Sequence, residues 1–252
     1  MRPSTTIGYL MAMIGFMMAA APAAAEDPGG TRSADLELVL AADASGSVDP
    51  DEWRLQLVGI AEAFRDPLVI TAIQSGPKQR IAVALVVWAD ASRSKDASDW
   101  HMIDSPDAAQ AFSNTVAQFP RRVEGGTGIG SAIAEAVRMI QYNDIDSPRQ
   151  VIDVSGDGTE TPAREDTTIL LPAARNMAAA FGITVNGLAI VNEVHNLDRY
   201  YKANVIFGPG SFVMKAKNYV DFRTALRDKL VREIAATVAW RDDGALPQLA
   251  AR

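Results

Sequence analysis

Residues 36–47 of the chain read LELVLAADASGS. The first seven are almost all apolar, and such a short apolar run is typical of a strand buried on both faces of a parallel sheet. A polar loop that contains glycine follows. Asp49 then offers a helix N-cap, Pro50 fits the first helical turn and Glu52 completes a capping-box pair. The stretch therefore predicts a strand, a loop and a helix in succession.

The same alternation continues along the chain. Apolar runs predict further strands, and apolar stripes at helical spacing predict helices between them. The predicted strands are 81–89, 100–103, 150–154, 183–191 and 211–215. The predicted helices after the first are 106–119, 128–142, 165–181 and 219–240. This order implies a doubly wound α/β fold, in which a mainly parallel central sheet is flanked by helices on both faces.

The N-terminal region predicts export. Arg2 precedes an apolar run at 7–21, and alanines at 23–25 come before an acidic pair, which is the layout of a cleavable secretory signal peptide over residues 1–25. An uncleaved anchor is the alternative, because a spanning helix needs about 20 apolar residues. No later run is apolar enough to cross a bilayer, so we expect no membrane insertion after signal removal. The expected organisation is a flexible spacer at 26–34, one domain at 35–240 and a flexible tail at 241–252.

The composition limits which compartments and which partners are compatible with this chain. The chain of 252 residues has no cysteine, which excludes disulfides and thiolate chemistry and is more typical of a bacterial envelope protein than of a eukaryotic secreted one. We therefore expect a periplasmic or secreted protein. The formal net charge of -7 makes nucleic acid and anionic membrane surfaces unfavourable partners. The basic pair Arg121 and Arg122 is interpreted as part of a solvated loop.

Three polar loops are expected at one edge of the sheet. Ligands of this fold bind at the carboxyl ends of the strands, where the strand order reverses. The sequences there are DASGS at 43–47, GGTG at 125–128 and SGDG at 155–158. Each motif alone is equally compatible with an ordinary helix cap or turn. Together they supply many oxygen atoms to the same place.

The order of these motifs resembles the metal-ion-dependent adhesion site of von Willebrand factor A (VWA) domains. The resemblance covers roughly residues 35–238, and the chain is most similar to an uncharacterised group of exported bacterial proteins that consist of this domain alone. It implies that the hydroxyls of Ser45, Ser47 and Thr127 bind the ion, while Asp43 and Asp157 act beside it through bound waters. Mg²⁺ is the implied ion, and Ca²⁺ or Mn²⁺ could substitute.

The resemblance also implies a binding function. Neutral hydroxyl ligands leave the cation under-neutralised, so it can accept an Asp or Glu side chain from a protein or peptide partner. We therefore expect a binding module and not an enzyme. The alternative is a Mg²⁺-dependent hydrolase or phosphatase that uses the same acidic site, but an aspartyl phosphatase would place a second acid where Ser45 stands. A metal-free scaffold and a serine hydrolase are weaker alternatives.

Two residues near the third motif, Gly156 and Asp153, have roles that the sequence does not decide. The family usually has a hydroxyl or small residue directly before the Asp-Gly pair, and here Gly156 stands between Ser155 and Asp157. Asp153 lies inside the preceding strand, where it either competes as a ligand or pairs within the core. Possible partner contacts follow the 183–191 strand at Asn192, Glu193 and His195, with a solvated loop as the alternative for the histidine.

Overall fold

The computed structural model describes residues 32–162 and 168–239. The strands are β1 (Arg32–Ser33), β2 (Glu37–Asp43), β3 (Ile81–Trp88), β4 (Asp96–Ala97), β5 (His101–Ile103), β6 (Ile145–Asp146), β7 (Gln150–Gly156), β8 (Thr184–Ile190) and β9 (Val213–Ala216). The α-helices are α1 (Pro50–Arg65), α2 (Pro67–Gln74), α3 (Pro106–Ala117), α4 (Ile129–Gln141), α5 (Leu171–Ala180), α6 (Leu197–Tyr200) and α7 (Tyr219–Ala239), and a π-helical turn spans Tyr201–Val205.

The central sheet has the strand order β4-β3-β2-β7-β8-β9, and β5 also pairs with β3. The five strands from β3 to β9 in this order are parallel, whereas β4 and β5 run antiparallel to β3. The chain crosses from β2 to β3 on one side and later returns to β7 on the other. The strand order therefore reverses at β2, and the loops that leave β2 and β7 lie side by side.

Both faces of the sheet are covered, which explains why the strands are apolar without interruption. In β2, Leu38 and Leu40 join a core with α1, α2, α3 and α7. Val39 and Ala41 point the other way, into a second core with α4 and α5. The alternation of two buried faces confirms the doubly wound α/β fold.

The first helix begins where the capping pattern predicts. The Asp49 carboxylate accepts a hydrogen bond from the Glu52 amide at 2.8 Å, and the Glu52 carboxylate accepts one from the Asp49 amide at 3.0 Å. Apolar side chains of this helix, from Trp53 to Phe64, are buried in the same core as Leu38 and Leu40 of β2. This capping box determines the length of the loop between β2 and α1.

Several boundaries differ from the sequence prediction. Strand β1 pairs with β6, although its two residues lie within the predicted spacer 26–34. Helix α5 begins at Leu171 and not at residue 165, because Pro172 is compatible only with the first helical turn. Helix α2 was not predicted, although Asp66 caps it and a proline starts it. The predicted signal peptide and the tail 241–252 lie outside the described residues.

None of the helices in the described ranges is both long enough and apolar enough to cross a membrane.

A buried ionic cluster joins the sheet to α7 and decides the open question about Asp153. The Lys229 ammonium group lies 2.7 Å from the Asp153 carboxylate and also contacts Glu233, which accepts a hydrogen bond from Asn186 at 2.7 Å. All four side chains are buried. Burial raises the pKa of Asp153, and the charge of Lys229 opposes that rise. Asp153 therefore pairs within the core and faces α7.

We predict that Lys229→Met destabilises the fold by about 3 to 5 kcal/mol, because it leaves two buried carboxylates without their cation. Urea denaturation followed by circular dichroism measures the free energy of unfolding. Lys215→Met, at an exposed position of β9, is the control and should change that free energy by no more than about 0.5 kcal/mol. A loss below about 1 kcal/mol for Lys229→Met would show that the cluster is not needed for stability.

Candidate functional site

Asp43 is the last residue of the central strand β2, and its side chain is fully buried. One carboxylate oxygen, Oδ1, accepts a hydrogen bond from the Ser45 amide at 2.7 Å. The main-chain carbonyl of Asp43 accepts one from the buried Gln56 side chain at 2.7 Å, which ties the strand end to α1. The other carboxylate oxygen, Oδ2, is buried without a hydrogen-bond partner in the described part of the chain.

Two serine hydroxyls connect this loop to the loop after β7. The hydroxyls of Ser45 and Ser47 lie 3.2 Å apart, and Ser47 donates to Oδ1 of Asp157 at 2.7 Å. Oδ2 of Asp157 is also buried and has no hydrogen-bond partner among the described residues. The first and third motifs therefore meet as expected, and each contributes a carboxylate oxygen that the rest of the described chain does not satisfy.

The second motif, GGTG at 125–128, contacts both of these loops. The Gly46 amide donates to the Gly125 carbonyl at 2.8 Å, and Gly125 has φ = 113°, a conformation that favours glycine. A Cβ atom on Gly158 would lie 3.2 Å from the Thr127 hydroxyl, so that hydroxyl is next to the Asp157 loop. We call Asp43, Ser45, Ser47, Thr127 and Asp157 the candidate site.

The candidate site differs from an acidic metal cluster. No group of three or more His, Cys, Asp and Glu side chains that could hold a metal ion occurs within residues 32–162 and 168–239. The site instead combines the carboxylates of Asp43 and Asp157 with neutral hydroxyls. Its oxygens are of the kind that Mg²⁺ and Ca²⁺ prefer.

Arg121 holds the first loop in place, and the interpretation as a solvated residue was wrong for it. Its Nη2 donates to the carbonyls of Ala44 at 3.1 Å, Ser45 at 3.0 Å and Val48 at 2.7 Å. The guanidinium also lies over the ring of Trp53, 5.9 Å from its centroid. The sequence pattern did not reveal this role of Arg121, because the carbonyls that it binds lie far from it in the chain. The tight loop needs a hydrogen-bond donor for these carbonyls, and a distant segment supplies it.

Two tyrosines, Tyr201 and Tyr219, also lie near the candidate site. The hydroxyls of Tyr201 and Tyr219 are buried without a hydrogen-bond partner in the described residues. Burial raises the pKa of both phenols, and the nearby carboxylates of Asp43 and Asp157 raise it further. Both phenols therefore lie near the two carboxylates, and the Tyr219 side chain also interacts with Asp157 and lowers its pKa.

Gly156 makes room for this arrangement. A Cβ atom at this position would lie 2.6 Å from Oδ2 of Asp43 and 2.8 Å from the Tyr201 hydroxyl, closer than real Cβ atoms approach other atoms. The residue that departs from the family pattern is therefore the residue that lets a buried phenol lie beside the Asp43 carboxylate. Strand β7 also extends to Gly156, two residues beyond the predicted end.

The charge state of the candidate site depends on burial. Burial raises the pKa of Asp43 to about 7, and the negative charge of Asp157 adds to the rise. Burial also raises the pKa of Asp157, although the hydrogen bond from Ser47 acts in the opposite direction. Without a cation, Asp43 therefore resists ionisation near neutral pH, and burial disfavours the charged form of Asp157 as well.

The predicted partner contacts lie at the same edge of the sheet. Asn192 donates to the Glu52 carboxylate at 2.8 Å, which places it beside the start of α1. The charge of Glu193 raises the pKa of Asp157, so this side chain lies close to the candidate site. His195 is exposed in the loop before α6. The loop after β8 therefore borders the candidate site, but only Asn192 makes a hydrogen bond there.

This sheet order, with polar loops at the carboxyl ends of β2 and β7, defines a VWA-like α/β domain. The chain belongs to the family described as "Protein of unknown function (DUF1194)", whose profile matches residues 33–238. None of the curated proteins matches the sequence.

Solved structures share the fold at low sequence identity. The pilus adhesin SpaC from Lactobacillus rhamnosus GG is 12% identical with a TM-score of 0.59, over 82% of this chain and 32% of that protein. Proximal thread matrix protein 1 from the mussel byssus is 13% identical with a TM-score of 0.54, over 81% and 46%. A mutant of the PilB minor pilin from Streptococcus sanguinis is 14% identical with a TM-score of 0.54, over 86% and 64%. The chain thus spans about a third of the adhesin and under two thirds of the other two.

We predict that Gly156→Ala destabilises the metal-free protein by about 1 to 3 kcal/mol, because the added methyl group has no space. The loss should be smaller in a Tyr201→Phe background, where the contact with the hydroxyl is removed and the contact with Asp43 remains. Urea denaturation in EDTA measures both effects. Gly46→Ala is the control, because its Cβ would meet only the Gly125 carbonyl, at 3.4 Å. Equal losses in both backgrounds would contradict the contact with Tyr201.

We predict that the metal-free protein loses stability relative to Asp43→Asn as the pH rises from about 4 to about 7. The unfolded carboxyl ionises near 3.8, whereas the folded one keeps its proton up to about 7. The folded state then binds more protons, so the free energy of unfolding falls with pH, by about 4 kcal/mol in total. Urea denaturation in EDTA across this range tests the difference, with Asp107→Asn on α3 as the exposed control. A difference that is independent of pH would refute it.

Proposed function

We propose that this protein is a metal-dependent binding module of the adhesion or assembly type. In this proposal, a divalent cation at the candidate site captures a carboxylate from a protein or peptide partner. The observation that carries it is the pair of buried carboxylates, Asp43 and Asp157, each with one oxygen that lacks a partner in the described chain. The shared fold of a pilus adhesin and a minor pilin supports this class of function.

The residues fit a hard divalent cation. A buried carboxylate oxygen that is left unsatisfied destabilises the fold by about 1 to 3 kcal/mol or more, so these atoms favour a bound cation or ordered water. Ser45 and Ser47 place their hydroxyls between the two carboxylates, and Thr127 adds a third from the opposite loop. Hydroxyl, carboxylate and water oxygens suit Mg²⁺, with Ca²⁺ or Mn²⁺ as substitutes.

The charge balance supports capture of an acidic partner. When bound, the cation would supply a positive charge that few direct carboxylate ligands neutralise. The chain's own residues hold this arrangement: Arg121 fixes the loop carbonyls, and Gln56 fixes the end of β2. A chain with a net charge of -7 could in this way bind Asp or Glu side chains at one position.

We propose binding and not catalysis for the same site. An aspartyl phosphatase that uses Asp43 as its nucleophile would place a second acid two positions later, and the residue there is Ser45, whose hydroxyl contacts Ser47. The solved structures that share the fold include a pilus adhesin and a minor pilin. The signal-like sequence at 1–25 supports the periplasm or the outside of the cell as the location of the proposed function.

The test is Mg²⁺ and Mn²⁺ titration calorimetry on the purified protein. We expect saturable binding by the parent and at least a tenfold loss in the Asp43→Ala, Ser45→Ala double variant, because one buried carboxylate and one hydroxyl are removed. The control is Asp107→Ala with Thr115→Ala on α3, which removes the same kinds of group far from the candidate site. If neither metal binds the parent, or if the double variant binds as well as the parent, the proposal fails.

A further inference from the structure

A cleft of about 800 Å³ opens next to the candidate site. Its wall is shared with two loops of that site, through Gly46 on one side and Gly125 and Gly126 on the other. The remaining lining residues are Asp90, Arg93, Arg121, Arg122, Val123 and Glu124. A partner segment that reaches the candidate site along this direction would therefore pass through the cleft.

The cleft is basic, although the chain as a whole is acidic. It contains three arginines and two acidic residues, a net charge of 3 - 2 = +1, against -7 for the whole chain. Of the acidic residues, Asp90 is already engaged: it accepts hydrogen bonds from Ser92 and from the Gly126 amide. These hydrogen bonds occupy the Asp90 oxygens without removing their charge, so Asp90 and Glu124 both count in the net charge of the lining.

Two of the three arginines are available to a ligand. Arg121 uses its guanidinium to hold the loop after β2, so it contributes charge but has donors already occupied. Arg93 and Arg122 are exposed, and neither forms an ion pair with another described residue. Arginine binds a carboxylate through two parallel hydrogen bonds, which favours this anion as the ligand.

We propose that this cleft is a second anion-binding subsite, in which Arg93 and Arg122 bind another acidic side chain of the same partner segment. This inference rests on the proposed function, because the first acidic side chain is the one held at the candidate site. The only large apolar residue that lines the cleft is Val123, so the described lining offers little to an apolar anchor. The partner is accordingly an extended acidic segment with at least two Asp or Glu residues a few positions apart.

The experiment compares capped synthetic peptides in NMR titrations of the isotope-labelled protein with Mg²⁺. One peptide carries a single Asp among glycines, and four others carry two Asp residues separated by one to four glycines. We expect the best two-acid peptide to bind the parent about five- to tenfold more tightly than the one-acid peptide, which is the range for one or two partly exposed ion pairs. Arg93→Ala with Arg122→Ala should remove this preference and leave the one-acid affinity unchanged.

The controls separate the inference from the proposed function. Arg65→Ala with Lys215→Ala removes two positive charges at exposed positions outside the cleft and should retain the preference. Asp43→Ala with Ser45→Ala should abolish binding of the one-acid peptide. If the parent binds the one-acid peptide but shows no preference, or if the preference survives in the cleft variant, the second subsite is refuted alone. If the parent binds no peptide with Mg²⁺, the proposed function is refuted and the subsite with it.

Discussion

The carboxylate of Asp43 is buried at the end of the central strand, and much of the surrounding structure accommodates it. One of its oxygens accepts a hydrogen bond from the Ser45 amide, while the other has no partner in the described chain. Gly156 on the neighbouring strand must lack a side chain to leave space for it. Because β2 lies between β3 and β7, this charge sits where the strand order reverses, and the three polar loops converge on it. A carboxyl group whose ionisation is costly when buried thus stands at the end of a strand that is buried along its whole length.

Asp43 and Asp153 are both buried acids, but they differ in their charged partners. Both are buried on neighbouring strands, and burial raises the pKa of both. Asp153 has a cation of its own, because α7 brings Lys229 to within 2.7 Å. Asp43 forms no ion pair with any described residue. One acid therefore faces a cation inside the fold, whereas the other has a carboxylate oxygen with no partner among the described residues.

Local patterns in the sequence predicted most of the fold and part of the candidate site. The capping box at Asp49 and the apolar strands depend on neighbouring residues, so periodicity and cap chemistry were sufficient. The serine contacts with Asp157 follow from parallel strands that end at one edge. Tyr201 and Arg121 could not be found in this way, because their roles depend on loops and on a π-helical turn that bring distant segments together. The only local sign of the Tyr201 contact was Gly156, which departs from the family pattern. The side chain that needs this glycine, Tyr201, lies 45 positions later in the chain.

The attachment of Arg121 to the loop after β2 has a mechanical consequence. Its guanidinium joins the segment before α4 to three carbonyls of that loop, and the loop continues directly into β2. Force applied to either segment is therefore transmitted to a strand paired on both sides, in register with β3 from Glu37 to Asp43 and with β7 from Glu37 to Ala42. Pulling such a strand along its axis loads both hydrogen-bond ladders at once, in shear, instead of opening them one bond after another. The loop after β2 is thus anchored by a strand with two hydrogen-bond ladders and by the guanidinium of Arg121.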